Sequence, residues 1–420
     1  MIPLSFAVLL FSGVPIAIVL TLTTLVYIQL SGNEVLFLSY VQQLYGGLEK
    51  YGLLAIPLFM LVGELMNEGG ITRRLIAFAG VFVGSLRGGL AYINLLANML
   101  MAAIIGSANA QIAVMGRVMV PEMAARGYDR NYAAAVTAAG GLLSPIIPPS
   151  MLFVIFGVLA QISIGDMFLA GIVPGLVLTL AFFIVIAVMG FFYQYPRGAE
   201  QSRHQALASL VGALPSLSIP VVIVGGIAGG VATPTESAAL AAVTALVVGT
   251  VFHREFKVGH IAPMLSRLVA NTATVLFLVA AANVFGWIII YERVPQVLAT
   301  YLQTLTENPF VFLLLVNLLL LFVGMIIDGI AALILIVPIL LPIAMRTYDI
   351  DPFHFGVVIC LNLTIGLLTP PVGTGLFVAA NVTDCKPMDI MRPLAPFLLA
   401  TMLVLLLISW QPGLVVWILG

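Results

Sequence analysis

Long stretches of this chain carry no charged side chain at all, among them 1–33, 131–165, 167–196, 204–235, 268–291, 308–327, 352–383 and 393–420. About 20 mostly apolar helical residues cross a hydrocarbon core about 30 Å thick. Lipid offers the backbone no water, so such segments must be helical or sheltered by other protein. The chain is therefore read as an all-α polytopic membrane protein. Only 8% of its residues are charged, against about 25% in soluble domains. That excludes a soluble enzyme, a nucleic-acid binder and a disordered chain. The net charge of −1 leaves no basic footprint for nucleic acid. Cys360 and Cys385 form neither a metal-ligand spacing nor a disulfide framework. The first stretch lacks the basic start and cleavage site of a secretory signal, and the longest polar segment is only about 195–205.

Two of these stretches exceed one helix and are broken by Gly and Pro. One break is Gly140-Gly141-Leu142-Leu143-Ser144-Pro145-Ile146-Ile147-Pro148-Pro149-Ser150, the other Gly366-Leu367-Leu368-Thr369-Pro370-Pro371-Val372-Gly373-Thr374-Gly375. Proline lacks a donor and clashes with the preceding turn, so neither is regular helix. They share Gly-Leu-Leu-[Ser/Thr]-Pro at an offset of 225. Arg126 pairs with Arg346 and Arg73 with Arg293 at 220, Pro121 with Pro342 at 221, and Val14-Pro15 with Thr233-Pro234 at 219. A near-constant offset along the whole chain reads as a duplication, 1–205 and 206–420.

Charge bias orients the copies. Cytoplasmic loops carry excess Lys and Arg, which places Arg254, Lys257 and Arg267 inside. Continuing from there leaves only Lys50, Arg293 and Arg346, of 16 basic residues, outside. Matching segments then face opposite sides, the inverted topology of many secondary transporters. The stretch 1–30 is either one long helix or two short passes kinked at Gly13-Val14-Pro15. Ahead of each break lies an apolar segment with a polar centre. In 90–122 the centre is Gly106-Ser107-Ala108-Asn109-Ala110; in 309–345 it is Gly324-Met325-Ile326-Ile327-Asp328-Gly329. Each arm is short for a full crossing, so both segments are expected to be re-entrant helical hairpins. The broken helices are expected over about 131–162 and 352–383.

Hairpin tips and broken helices should meet near the midplane. Half-helix N-termini attract anions and C-terminal carbonyls attract cations. Pro145 and Pro370 are expected to leave upstream carbonyls unpaired. Gly140, Gly141, Gly366 and Gly373 admit close approach, and Ser107, Ser144, Thr369 and Thr374 add hydroxyls. Such oxygen-rich sites without a carboxylate cluster suit sodium better than calcium. The alternative is that the breaks are kinks that only aid packing. Asp328 either ligates an ion or proton at its tip, or caps the second half-helix. Glu236 opens a helix after Pro234 and reads first as a cap. Glu64 either faces a partner subunit or reaches water. Arg126 and Arg346 read as interface anchors, Arg126 with a possible role in guiding an anion. His204, His253, His260 and His354 form no catalytic set, and no Walker sequence or enzyme constellation is present.

Five motifs resemble one family: Gly106-Ser107-Ala108-Asn109-Ala110, Arg126-Gly127-Tyr128, Ser144-Pro145-Ile146-Ile147-Pro148-Pro149-Ser150, Ala232-Thr233-Pro234-Thr235-Glu236 and 366–373. In this order they resemble the large, DctM-type membrane subunit of TRAP transporters (tripartite ATP-independent periplasmic transporters), over essentially the whole chain. Asn109 departs from the commoner form of the tip. The resemblance implies a bacterial inner-membrane permease that imports small organic anions, such as C4-dicarboxylates or sialic acid, on a sodium gradient. It implies elevator-type movement of a transport domain against a scaffold. It also implies a periplasmic binding protein and a small four-helix membrane subunit, expected here as a separate polypeptide. By motif position, the first ion site would use Ser107, Asn109, Gly141 and Ser144, the second Asp328, Gly366, Thr369 and Gly373. Substrate would lie near Ser107, Asn109, Ser144, Pro145, Thr369, Pro370, Gly373 and Thr374. The rival readings are a stand-alone sodium/dicarboxylate symporter and, further off, an ion channel or scaffold.

Overall fold

Gly13 has φ +76° and Pro15 follows it, so the first apolar stretch divides into two helices, α1 (Ile2–Phe11) and α2 (Ile16–Ser31). The computed structural model describes residues 2–33, 35–192, 195–196 and 202–419. The chain continues through α3 (Val35–Gly46), α4 (Ala55–Glu68), α5 (Ile71–Val83), α6 (Gly89–Ile105), α7 (Ala108–Ala125), α8 (Arg130–Gly141), α9 (Met151–Ala160) and α10 (Ile164–Phe192). The second half runs through α11 (Arg203–Ala228), α12 (Pro234–Val247), α13 (Ile261–Tyr291), α14 (Val294–Leu305), α15 (Pro309–Gly324), α16 (Gly329–Thr347), α17 (Pro352–Leu367), α18 (Thr374–Thr383), α19 (Pro387–Trp410) and α20 (Gly413–Val416). No strand occurs among the described residues. Seven helical segments are long and apolar enough to cross a membrane, or eight if α14 and α15, bent by 116°, count as one span.

Local chemistry sets where these helices begin. Asp129 caps α8 by accepting from Tyr132 N at 2.8 Å, and Asp351 caps α17 from Phe353 N at 2.8 Å and His354 N at 3.1 Å. Glu236 closes a capping box with Thr233 at the start of α12, satisfying helix-start donors reciprocally. His354 is buried, and its Nε2 meets the Ile408 carbonyl at 2.9 Å.

The two halves interlock by exchange. Helices matched by the sequence offset pack in swapped pairs: α2 on α13 and α12 on α4, α7 on α18 and α16 on α9. The first halves of the broken helices lie at the centre, with every residue from Tyr132 to Gly141 and from His354 to Leu367 buried. At the periphery, α11 buries only Ala213, Ser216, Ile219 and Ile223, and its exposed Leu214 and Val221 suit lipid rather than water.

Glu64 finds a partner within the chain itself. It pairs with Arg267 at 2.9 Å, and Arg267 also reaches Glu68 at 3.1 Å. Glu68 meets His260 at 2.8 Å, and Arg74 meets Glu255 at 2.8 Å. The carboxylate of α4 thus finds its counter-charge on α13 of the other half.

Candidate functional site

The α6–α7 and α15–α16 junctions, the two tips, are each bonded to the break of the same half. Met151 N donates to the Gly106 carbonyl at 3.2 Å, and Val372 N donates to the Met325 carbonyl at 3.3 Å. Contact is so close that a Cβ on Gly106 would lie 2.9 Å from the Pro149 carbonyl oxygen, and one on Gly366 would lie 2.6 Å from Gly324 Cα. Each break contains one cis bond, Pro148–Pro149 and Pro370–Pro371.

The carbonyls upstream of the two prolines are not left unpaired, contrary to expectation. Tight turns re-satisfy them: Ser144 N donates to Gly141 O at 3.2 Å, and Thr369 N donates to Gly366 O at 3.1 Å. A carbonyl has two lone pairs, so one on each remains for a ligand. Thr369 spends its hydroxyl proton on Ile365 O at 2.7 Å and keeps its acceptor capacity.

Four helices start at the tips and breaks, and they differ in their caps. Ser150 caps α9 by accepting from Phe153 N at 3.3 Å, and Asp328 caps α16 by accepting from Ile330 N at 3.1 Å. Asp328 thus fills the capping role open to it. By contrast, Ser107 at α7 and Gly373 at α18 make no side-chain cap bond. These two uncapped starts, one from each half, touch: Asn109 Nδ2 donates to Thr374 Oγ1 at 3.4 Å. Beside them, a Cβ on Gly375 would lie 3.2 Å from Asn109 Oδ1. Asn109 Oδ1 and Ser144 Oγ are buried and have no hydrogen-bond partner among the described residues. Buried polar atoms are normally paired, so both are vacant acceptors. Gly141 lies against the same tip, a Cβ there falling 3.4 Å from Ala108 O. The structure thus gathers Asn109, Thr374 and Gly141 around the start of α7. Gly366 joins the second tip, while the Asp328 side chain bonds to its own helix.

A sequence profile described as "Tripartite ATP-independent periplasmic transporter, DctM component" matches residues 4–414. The chain belongs to the TRAP transporter DctM family. It is 40% identical over 408 residues to the sialic acid TRAP transporter large permease protein SiaM of Vibrio cholerae, covering 96% of this chain and 94% of that one. It is 37% identical over 375 residues to the C4-dicarboxylate TRAP transporter large permease protein DctM of Pseudomonas aeruginosa, covering 89% and 88%. Its fold is that of the Alcanivorax borkumensis YdaH transporter crystal structure, with a TM-score of 0.63 at 16% identity over 91% of this chain and 89% of that one. This DctM-family chain is a transport permease, not an enzyme, and a multi-pass protein of the inner membrane.

Sequence reasoning passed over the polar ladder behind the first DctM tip. Asn94 Nδ2 donates to Thr137 Oγ1 at 2.7 Å and Asn98 Nδ2 to Asn94 Oδ1 at 2.8 Å. Gln111 Nε2 lies 2.9 Å from Asn98 Oδ1 and 3.1 Å from Gly140 O. All four side chains are buried. The ladder ties α6, α7 and α8 together. Its counterpart in the second half runs from Asn362 to Asn317 at 2.9 Å and on to Ser409 Oγ at 2.9 Å. A signal was present: Asn98 precedes Asn317 by 219 residues and Thr137 precedes Asn362 by 225, the offsets of the repeat itself. Arg126 pairs with Glu122 at 2.7 Å. With Arg73 it lines a cavity of about 460 Å³ between α5, α6, α7 and α11. Arg346 is exposed in the last turn of α16.

Proposed function

We propose that this chain is the large permease of a sodium-coupled TRAP importer of small organic carboxylates, delivered by a periplasmic binding protein. The observation that carries the reading is the convergence of two uncapped helix starts, α7 and α18, at the Asn109–Thr374 contact. Free N–H groups at a helix start, with the helix dipole behind them, favour an anion. A substrate carboxylate would take these donors together with Ser107, Asn109 and Thr374, with Thr369, Pro370 and Gly373 alongside and Ser144 and Pro145 behind the first tip. Sodium would take the acceptors. The first ion site would use the vacant Asn109 Oδ1 and Ser144 Oγ with Ser107 and the Gly141 carbonyl. The second would use Thr369 Oγ1 and the Gly366 and Gly373 carbonyls, with Asp328 nearby. An ion beside the carboxylate lowers the cost of burying its charge, which couples the two cargoes.

In this reading the halves are inverted repeats, α6–α7 and α15–α16 are re-entrant hairpins, and they move with the broken helices as an elevator against α2, α4, α12 and α13. A small membrane subunit completes the system in this reading. Names of the relatives above, for sialic acid and C4-dicarboxylate, support the carboxylate class. Thermal stability of the purified chain in sodium, potassium and choline chloride at equal ionic strength tests the coupling. A saturable rise specific to sodium is expected, about 2.7 kcal/mol at a hundredfold excess over Kd, and smaller in Asn109→Ala and Thr369→Val. Equal stability in all three salts would remove the sodium sites from this account.

A further inference from the structure

A second cavity, of about 1390 Å³, lies between α10 and α19, away from both tips. Its chemistry is divided lengthwise. One end is polar, formed by Asp129, Asn131, Tyr132, Asp389 and Arg392. The remainder is lined by apolar side chains of 177–189 and 393–407. From Arg392 to Leu407, α19 rises about 22 Å at about 1.5 Å per residue, room for an extended acyl chain. A groove wet at one end and apolar along the rest fits a single-headed amphiphile.

We propose that this groove is a binding site for a bilayer phospholipid with a primary-amine headgroup, phosphatidylethanolamine. The polar end carries one cation and two carboxylates. Arg392 makes no ion pair among the described residues, and its guanidinium fork matches a phosphate. Asp389 and Asp129 match an ammonium. Pro393 and Pro396 line the groove and have no N–H, so the carbonyls four residues earlier, of Asp389 and Arg392, lack their helical donors. An ethanolamine ammonium has three N–H donors for just such acceptors. Quaternary choline has none, and phosphatidylglycerol would bring a net negative head to two carboxylates.

Delipidated full-length chain in detergent is titrated with mixed micelles containing phosphatidylethanolamine, phosphatidylcholine or phosphatidylglycerol of matched acyl chains, and the melting temperature is followed. The expected result is a saturable rise with the ethanolamine lipid, exceeding that with either other lipid. Asp389→Asn and Arg392→Gln, both at exposed positions, each weaken its apparent affinity about tenfold, the loss of one charge-assisted hydrogen bond. Ala400→Trp, which fills the apolar part, abolishes the rise, and Ala181→Phe on the opposite wall provides a second block if the first variant does not fold. Equal response to the three lipids, preference for phosphatidylglycerol, or an unchanged response in the filled groove would each overturn the proposal. So would release of a bound protein chain by the filling variants. The readout involves neither sodium nor substrate, so it stands or falls apart from the transport reading.

Discussion

At the scale of single residues, the site depends on the absence of side chains as much as on their presence. Gly366 sits backbone to backbone against Gly324. Neither partner can rotate away, unlike the Asn98 side chain that faces Gly140. Gly366→Ala is therefore expected to push the second tip off its broken helix and to destabilise the chain by about 1–3 kcal/mol, the usual range for overpacking. Thermal melts of the variant check this. An unchanged melting temperature would mean that the tip is not held as described. Glycines and prolines were legible in the sequence because their backbone consequences are local. Partners of Asn98, Gln111 and Glu64 were not, because a polar residue in an apolar helix does not reveal which neighbour will satisfy it.

At the scale of elements, caps decide what each helix start can bind. Asp129 and Asp351 open the two broken helices in the same way, and Asp351→Ala should cost about 1 kcal/mol, within the measured range of about 0.5–2 for such caps. The loss is measured as a lower melting temperature, with the sodium response intact. A lost sodium response at unchanged stability would instead assign Asp351 to the site. Asp328 could be read from sequence as either ligand or cap, since an acidic residue ahead of an apolar helix serves both. The structure shows the cap, and it also shows the element-level fact that carries the functional reading: α7 and α18 start uncapped and meet.

At the scale of the whole molecule, the exchanged packing predicts which parts move together. A Cβ on Gly116 of α7 would lie 3.9 Å from Val382 Cβ of α18, close to the mean disulfide spacing of about 3.8 Å. In a Cys385→Ser background, Gly116→Cys with Val382→Cys should oxidise and leave uptake largely intact, because the proposed elevator places both helices in one moving body. Gly63 of α4 faces Ile105 at the first tip, a Cβ there lying 3.8 Å from Ile105 Cα. A short thiol cross-linker between Gly63→Cys and Ile105→Cys should stop uptake, because it joins the proposed frame to the proposed moving body. Uptake with the binding protein, before and after cross-linking, reads both pairs, and the reverse pattern would contradict the elevator division.

The sequence by itself determined that the chain is a helical membrane protein, that its helices break at two Gly-Pro motifs, and that its motifs are those of a TRAP permease. Each of these rests on hydrophobic run length, on backbone geometry set by one or two residues, or on order along the chain. Tertiary structure alone decided that α7 and α18 come from different halves to meet at Asn109 and Thr374, that the amide ladder locks α6 and α7 to α8, and that Glu64 is neutralised by Arg267. Those contacts join residues 13 to 265 positions apart. Packing of already formed helices selects them, and no local propensity encodes them.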